Sequence, residues 1–327
     1  MERELVEAFL EAFAVGDAFG KATEYCSRQA IEKKFNRIDT ILDPQTALSH
    51  RDLSYGRVTD DTEQNVYLIK EYARQGSIDA TDTAKALLKW VDETDAVHYM
   101  GPSSMKALRA IRDGKNIGTA GIEGTTCGGI MRVPAAFLFS TPETLEENVI
   151  ECLKPTHFTA VAIEAAMAYA YALQAAFEHK NIHEIIERAC EGARIGLGYG
   201  NTELTAGVGP SVATRALFLE RTIPSLKSEH DLKCLLYDVI GSTLASADVA
   251  ACVFGLLLYA KSDVRLAIRL ATETGGDTDT IASLAAGLCT IYGKGHNLDT
   301  TMVQLVSESN NLDFGELAKL VTNGGAL

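Results

Sequence analysis

Apolar residues recur every three or four positions along most of this chain, which is the spacing of one face of an α-helix. The first such stripe is formed by Leu5, Val6, Phe9, Leu10 and Phe13. Similar stripes cover residues 66–73, 84–91, 182–197, 232–244, 249–259, 264–271 and 281–291. Residues 158–177 are dominated by Ala with Met, Tyr and Leu, so we expect a buried helix that its neighbours approach closely.

Alternating apolar and polar positions bounded by turn residues, the signal for β-strands, are essentially absent. The pattern therefore predicts an all-α protein, a compact multi-helix bundle with about a dozen helices. Only seven Pro residues occur, and no linker rich in Pro, Gly or Ser divides the chain, so we expect a single domain over residues 1–327. The two segments richest in Gly, 114–129 and 196–209, are predicted loops, and long loops in compact domains are commonly functional.

The balance of charge limits the partners that this protein can have. With 30 basic and 44 acidic residues, its formal net charge is −14, which argues against nucleic acid or an anionic membrane as the main partner. The seven Cys residues are scattered without a Cys-x-x-Cys pair, as in proteins that keep their thiols reduced. No signal peptide opens the chain, and no apolar run approaches the roughly 20 residues that span a bilayer. We expect a cytoplasmic protein.

Two compact acidic motifs lie at opposite ends of the chain. Residues 59–63 read Thr-Asp-Asp-Thr-Glu, and residues 275–282 read Gly-Gly-Asp-Thr-Asp-Thr-Ile-Ala. Neighbouring carboxylates repel each other unless a cation lies between them, and Mg²⁺, Mn²⁺ and Ca²⁺ prefer oxygen ligands of this kind. If the fold brings the motifs together, their four Asp carboxylates match two divalent cations in charge. This is the composition of a hydrolytic metal site.

The simpler interpretation is that both motifs only begin helices. Thr and Asp cap free N–H groups there, and acidic charge suits the helix macrodipole. Asp60 and Glu63 even have the spacing of a capping pair. The presence of two such motifs, one behind a Gly-Gly turn, favours the metal interpretation, although an ion can also sit at a helix start.

Other candidate motifs are ambiguous when each is considered alone. The segment 16–20, Gly-Asp-Ala-Phe-Gly, predicts a close helix crossing with a hydrogen-bonded Asp17. Glu24 is either a solvated charge or a group that points into a pocket. The Gly-containing loop 125–134 can cradle a phosphate but is neither a Walker A loop nor a Rossmann fingerprint, so an ordinary turn is the alternative. His157 on its own is more typical of a structural partner than of a catalyst.

Taken together and in this order, the motifs resemble those of the ADP-ribosylglycohydrolases, the family of the dinitrogenase-reductase-activating glycohydrolase. The resemblance covers roughly residues 5–295 and rests mainly on the two acidic motifs. It implies a compact all-α domain with two Mg²⁺ or Mn²⁺ ions in a central cleft, and cleavage of ADP-ribose from Arg, Ser or related acceptors. The implied metal ligands are Thr59, Asp60, Asp61, Asp277, Asp279 and Thr280.

The resemblance also implies roles for residues outside the metal ligands. Glu24 falls where some members carry a Glu that gates or assists catalysis, and His157 falls where a family His lines the substrate cleft. The loop that holds the phosphates and ribose corresponds here to Cys127, Gly128, Gly129, Met131 and Arg132. Cys127 replaces the usual Asn of this loop. The side-chain amide is therefore lost, and we expect weaker binding of a diphosphate.

The leading hypothesis is a metal-dependent hydrolase of a ribosyl C1 glycosidic bond, with an ADP-ribosyl conjugate, small or protein-linked, as substrate. Either Asp277 or Glu24 takes the proton of the attacking water. A smaller N-riboside such as a nucleoside is the alternative substrate, and a non-catalytic ADP-ribose binder is a further alternative. A terpenoid-type diphosphate enzyme fits poorly, because it needs Asp-Asp-x-x-Asp and this chain has Glu63 one place early.

Overall fold

Helices account for the regular structure throughout the part of the chain that the computed structural model describes, which is residues 2–95, 99–203 and 207–324. This confirms the predicted all-α class. The 17 α-helices in these ranges are α1 (Arg3–Gly20), α2 (Arg28–Lys34), α3 (Asp60–Gln75), α4 (Ala80–Glu93), α5 (Pro102–Arg112), α6 (Ile117–Ala120), α7 (Val133–Leu138), α8 (Leu145–Leu153), α9 (Ala160–Phe177), α10 (Ile182–Glu203), α11 (Val212–Thr222), α12 (Glu229–Cys234), α13 (Ser246–Ala260), α14 (Val264–Thr274), α15 (Thr278–Gly293), α16 (Thr300–Asn310) and α17 (Phe314–Gly324).

Three sequence-based expectations about individual elements need correction. Helices are more numerous than the expected dozen, because short ones such as α6 and α12 interrupt the predicted connections. The apolar stripe 232–244 is not one α-helix: α12 passes into a π-helix, Leu235–Ile240, and Gly241 with φ +88° then turns the chain away. Residues 196–203 belong to α10 and not to a loop. A Cβ on Gly196 would lie 2.6 Å from the carbonyl oxygen of Ile163, so this glycine permits a close crossing with α9.

The core is organised around α9, the Ala-rich helix that the sequence predicts. It packs against α10, α13 and α15, and its Tyr169 hydroxyl donates a hydrogen bond to the carbonyl oxygen of Leu284 at 2.9 Å. By length and composition α9 is the one described helix apolar enough to cross a membrane, but 94% of it is buried inside the protein. Its apolar character therefore serves the core.

Backbone contact between α1 and α15 brings the two ends of the chain together. A Cβ on Gly16 would lie 2.7 Å from the carbonyl oxygen of Ala282, and one on Gly20 would lie 2.3 Å from that of Thr278. Only glycine allows this approach, which confirms the close crossing predicted for residues 16–20. The start of α15 consequently lies against the end of α1.

Asp17 on α1 holds the start of α3 in the same place. Its fully buried carboxylate accepts hydrogen bonds from the backbone N–H of Thr59 at 3.0 Å and of Thr62 at 3.0 Å. The hydroxyls of the same two Thr residues also donate to it, at 2.8 and 2.6 Å. Asp17 thus caps α3 from another helix, so that α1 positions the first turn of both α3 and α15.

Removal of this remote cap should destabilise the protein more than removal of an ordinary cap. Asp17→Ala leaves two N–H groups and two hydroxyls without their acceptor, and each such buried loss costs ~1–3 kcal/mol. We expect urea denaturation to show a free energy of unfolding lower by about 3 kcal/mol or more. Asp79→Ala is the matched control, because Asp79 caps α4 through Asp82 at the surface and should cost only about 1 kcal/mol. Equal losses in the two variants would contradict the proposed role of α1.

Candidate metal centre and substrate cleft

The two acidic motifs meet in one cleft, although more than 200 residues separate them in the chain. The hydroxyl of Thr280 donates a hydrogen bond to Oδ2 of Asp61 at 3.3 Å, which links the first turn of α15 to that of α3. Five carboxylates line this cleft: Glu24, Asp60, Asp61, Asp277 and Asp279.

Helix capping does not explain why these acids are present. Thr59 occupies the N-cap of α3 and Asp277 that of α15, yet neither side chain makes a capping hydrogen bond within the described structure. Glu63 does not close a capping box with Asp60 either. Its carboxylate instead accepts hydrogen bonds from Arg57, Trp90 and Tyr99. Asp60 Oδ2 accepts a hydrogen bond from Gln64 at 3.3 Å, whereas Asp61 and Asp277 keep oxygens that are available for another purpose.

Several carboxylate oxygens in the cleft are buried without a partner. Both Oδ atoms of Asp277 and Oδ1 of Asp61 have no hydrogen bond to any described residue, and both side chains are only 1% exposed. A buried carboxylate in this state is costly unless a cation compensates it. Oxygen ligands from Asp and Thr are also the donors that Mg²⁺ and Mn²⁺ prefer. The residues present thus fit divalent cations.

The electrostatics of the cleft also favour the binding of cations. Burial, followed by the charge of Asp279, raises the pKa of Glu24, Asp60, Asp61 and Asp277 well above the ordinary values. The buried Lys21 stands near these acids, and burial lowers its pKa to about 8. A single amine cannot neutralise this many carboxylates, so the cleft strongly favours additional positive charge.

A tight turn sets the direction of Asp277. Gly275 and Gly276 have φ values of +87° and +86°, a region that favours glycine. A Cβ on Gly276 would lie 1.9 Å from the carbonyl oxygen of Ser242, and the backbone N–H of Asp277 donates to that same oxygen at 2.8 Å. The Gly-Gly pair therefore allows the turn to contact the backbone of Ser242, and this contact places Asp277 at the N-terminus of α15.

The glycine-containing loop forms the opposite wall. Cys127, Gly128 and Met131 line the cleft. The loop is anchored from behind, because the backbone N–H of Cys127 donates to the carbonyl oxygen of Leu244 at 2.8 Å. The Ser246 hydroxyl donates to the carbonyl oxygen of Thr126 at 2.7 Å. The segment before α13 thus holds the wall that faces the acidic motifs.

Arg132 and His157 lie behind this wall, and both are fully buried. The guanidinium of Arg132 donates to Thr156 Oγ1 at 2.5 Å and to Gln64 Oε1 at 3.3 Å. The two ring nitrogens of His157 are each 2.9 Å from a Thr hydroxyl, that of Thr156 and that of Thr126. Burial and the nearby guanidinium hold the pKa of His157 well below its ordinary value, so the ring is neutral. Gly129 also packs against His157 rather than against the cleft.

His50 and Tyr99 are among the residues in or beside the cleft that the sequence analysis missed. His50 contacts the carboxylate of Glu24, which is buried and not the solvated charge considered above. No spacing relates His50 to the acidic motifs, so nothing in the local pattern indicated it. Tyr99 lines the cleft with its hydroxyl 2.7 Å from Glu63 Oε2. The signal for Tyr99 was equally weak, since an isolated aromatic residue is usually part of the core.

Fold and site together define a helical protein with a paired Asp cleft suited to divalent cations. A sequence model described as ADP-ribosylglycohydrolase matches residues 2–325. The chain therefore belongs to the ADP-ribosylglycohydrolase family, and the resemblance seen in the motifs is confirmed.

Individual proteins are similar to this chain over most of its length. The chain is 27% identical over 326 residues to an Escherichia coli (strain K12) protein described as uncharacterized protein YegU, with 97% of this chain and 96% of that protein covered. It is also 27% identical over 277 residues to an uncharacterized protein of Archaeoglobus fulgidus, with 84% and 83% covered. A solved structure described as an ADP-ribosylglycohydrolase-related protein complex shares the fold, with a TM-score of 0.69 at 17% identity and 98% of both chains covered.

The raised pKa values predict how stability depends on pH. An acid whose pKa rises on folding, such as Asp17 with a pKa of about 6, binds more protons in the folded than in the unfolded state. The free energy of unfolding is then greatest below the pKa of the group in the unfolded state. It falls as pH rises through the pKa of the group in the folded state. In EDTA we expect a lower melting temperature at about pH 8 than at about pH 5. Mn²⁺ or Mg²⁺ should restore stability mainly at the higher pH, because only ionised carboxylates bind cations. A metal effect of equal size at both pH values would contradict this.

Proposed function

We propose that this protein is a Mg²⁺- or Mn²⁺-dependent hydrolase that cleaves the ribosyl C1 glycosidic bond of ADP-ribosyl conjugates. The observation that carries the proposal is the convergence of unpaired, buried carboxylate oxygens from Asp61 and Asp277 in one cleft. Family membership supports glycoside hydrolysis as the reaction class. The position and charge of the cleft support the cation requirement.

Two divalent cations would be held by oxygen ligands from both motifs. When bound, such ions hold a vicinal diol and lower the pKa of a bound water. We assign the ligand role to Thr59, Asp60, Asp61, Asp277, Asp279 and Thr280. The hydroxyls of Thr59 and Thr280 lie 3.5 and 3.3 Å from the same oxygen, Oδ2 of Asp61, which supports a shared set.

The residues of this chain supply the proton transfer and the orientation of the substrate. We propose that one of two carboxylates, either Glu24 or Asp277, accepts the proton of the attacking water. Both are buried, which keeps competing water away from a developing oxocarbenium-like centre. Gly128 and Met131 shape the opposite wall, so that the ribose lies between the loop and the acids.

The loop offers a diphosphate fewer side-chain donors than an Asn-containing loop would. Cys127 lines the wall where an amide would donate, and burial together with Asp277 raises the pKa of its thiol well above the ordinary value, so it stays neutral. Arg132 is engaged with Thr156 and Gln64. We propose that Arg132 and His157 support the loop from behind, while backbone N–H groups around Gly128 face the phosphates. This favours a smaller N-riboside as the second candidate substrate.

The acidic net charge and the burial of α9 inside the protein support the cellular context proposed here. We propose a cytoplasmic enzyme with a small-molecule or protein-linked ribosyl substrate, and without nucleic acid or membrane as partner. A non-catalytic binder of ADP-ribose would use the same ions but release no product. Product analysis with Mg²⁺, ADP-ribosyl conjugates and nucleosides distinguishes these possibilities and identifies the leaving group.

Replacement of the proposed proton acceptors should abolish turnover without unfolding the protein. Asp277→Asn and Glu24→Gln each remove a buried charge that the metal-free fold does not compensate, so we expect metal-free stability to stay within about 1 kcal/mol of the natural value or to rise. Activity should fall by on the order of 10²-fold or more. Asp277→Asn should also weaken Mg²⁺ binding in calorimetry, whereas the surface control Asp79→Asn should change neither quantity. Full activity in both cleft variants would remove these residues from the mechanism.

Restoration of the amide at position 127 should improve the binding of ADP-ribose. A hydrogen bond with one charged partner contributes ~1.5–3 kcal/mol, so we expect Cys127→Asn to lower the dissociation constant roughly tenfold to a hundredfold. Calorimetry with Mg²⁺ present measures this. Cys234→Asn, at a half-buried thiol outside the cleft lining, should leave affinity unchanged. Submicromolar binding by the natural sequence, unaltered by Cys127→Asn, would show that the loop works without the amide.

A further inference from the structure

An imidazole joins the carboxylates at one side of the cleft. His50 lies in the connection between α2 and α3, Glu24 follows α1, and Asp279 lies in the first turn of α15. One ligand atom from each of these three residues lies within 4.8 Å of the other two. His50 adopts φ +47°, a left-handed conformation that few non-glycine residues take up. Three distant segments therefore converge on one point, with a histidine among the acids.

The three ligand atoms lie near the spacing of ligands on one ion, although His50 and Glu24 are in closer contact than two ligands of one cation. With bonds of about 2.1 Å, opposite ligands lie about 4.2 Å apart and adjacent ligands about 3 Å apart. A cation bound here would therefore replace the direct contact between His50 and Glu24. The side chains of His50 and Glu24 are only 13% and 7% exposed, so solvent competes weakly for their ligand atoms. His50 Nε2 and Glu24 Oε2 are in direct contact, which requires a proton between two groups that both carry lone pairs.

A second observation indicates that cations belong in this cleft. The unpaired oxygens of Asp277 and Asp61 line the same cavity as Glu24 and Asp279. They do not depend on the position of His50. The imidazole therefore stands beside a site that already fits metal ions, and not beside an isolated acidic patch.

We propose that His50, as a nitrogen ligand, and Glu24, as an additional oxygen ligand, complete with Asp279 the site of one of the two cations. One subsite of the binuclear centre would then have a mixed nitrogen and oxygen ligand set, while the other keeps oxygen ligands alone. Imidazole favours first-row transition metals, whereas Mg²⁺ prefers oxygen donors. The mixed subsite selects a transition metal such as Mn²⁺ or Co²⁺ over Mg²⁺. Ligation through Oε2 leaves the second oxygen of Glu24 for the proton transfer proposed above. The inference rests on the proposed metal-dependent function.

Pulsed electron paramagnetic resonance of the Mn²⁺-loaded protein tests the ligand directly. We expect nitrogen modulation from one imidazole in the natural sequence, and the replacement of the ¹⁴N pattern when histidine is labelled with ¹⁵N. This measurement needs no variant, so it does not depend on how a substitution folds. The signal should disappear in His50→Gln and persist in His296→Gln. His296 is a matched control, because it pairs with Glu11 at 2.9 Å and is similarly buried, with 14% of its side chain exposed.

Calorimetry provides a second, independent measurement. His50→Gln should weaken Mn²⁺ and Co²⁺ binding at one subsite by at least about tenfold, the lower end of the effect expected when a metal site loses a supporting group. Binding of Mg²⁺ should change far less, because imidazole contributes little to it. A residue that only orients Glu24 would instead weaken Mg²⁺ and Mn²⁺ binding by equal factors, and that result would overturn the inference.

The outcomes separate this inference from the proposed function. Mn²⁺ binding without nitrogen modulation, or modulation that survives in His50→Gln, would refute ligation by His50. The proposed hydrolase would still stand if the Mg²⁺-loaded protein releases product. The failure of every divalent cation to bind the natural sequence would refute the metal centre itself, and the His50 assignment with it.

Discussion

Repulsion among buried acids is the constraint on which the arrangement of this protein depends. Glu24, Asp60, Asp61, Asp277 and Asp279 share one small cleft, and Asp17 lies just behind it. Folding alone gives these groups little compensation, since Lys21 is the buried amine whose pKa they influence. The positive ends of α3 and α15 contribute partial charge, typically about half a unit at each N-terminus. In the proposed function, bound cations would supply the remainder, so that the electrostatic cost of the cleft and its chemical use would have the same origin.

The helix α1 makes this concentration of charge possible. Its two glycines allow backbone contact with α15, and Asp17 between them accepts the N–H groups at the start of α3. Because Asp17 does the capping, the acids of α3 are released from the role that Asp usually has at such a position. One residue that touches no substrate thus determines whether Asp60 and Asp61 can face the cleft. In the same way, the Gly275–Gly276 turn positions Asp277 so that it lines the cleft.

The sequence was informative wherever spacing along the chain reports directly on structure. Helical periodicity predicted the all-α class, and the composition of the two acidic motifs predicted their convergence. The sequence was uninformative where a structure depends on contact between residues that lie far apart in the chain. Gly196 looks like a loop residue until its contact with Ile163 is known, and the π-helix at Leu235–Ile240 keeps an apolar stripe that resembles an ordinary helix. His50 escaped notice for the same reason, since only the folded chain places it beside Glu24.

The contact between the end of α1 and the start of α15 also bears on how the chain is made. The Thr278 hydroxyl donates to the carbonyl oxygen of Gly20 across 258 positions, so α1 leaves the ribosome long before its partner exists. Contacts of such long range form late and slow the folding of a domain. The acids of α3 therefore remain without their counterparts through most of translation. In the proposed function, the cleft is complete and able to capture metal only after α15 has been synthesised.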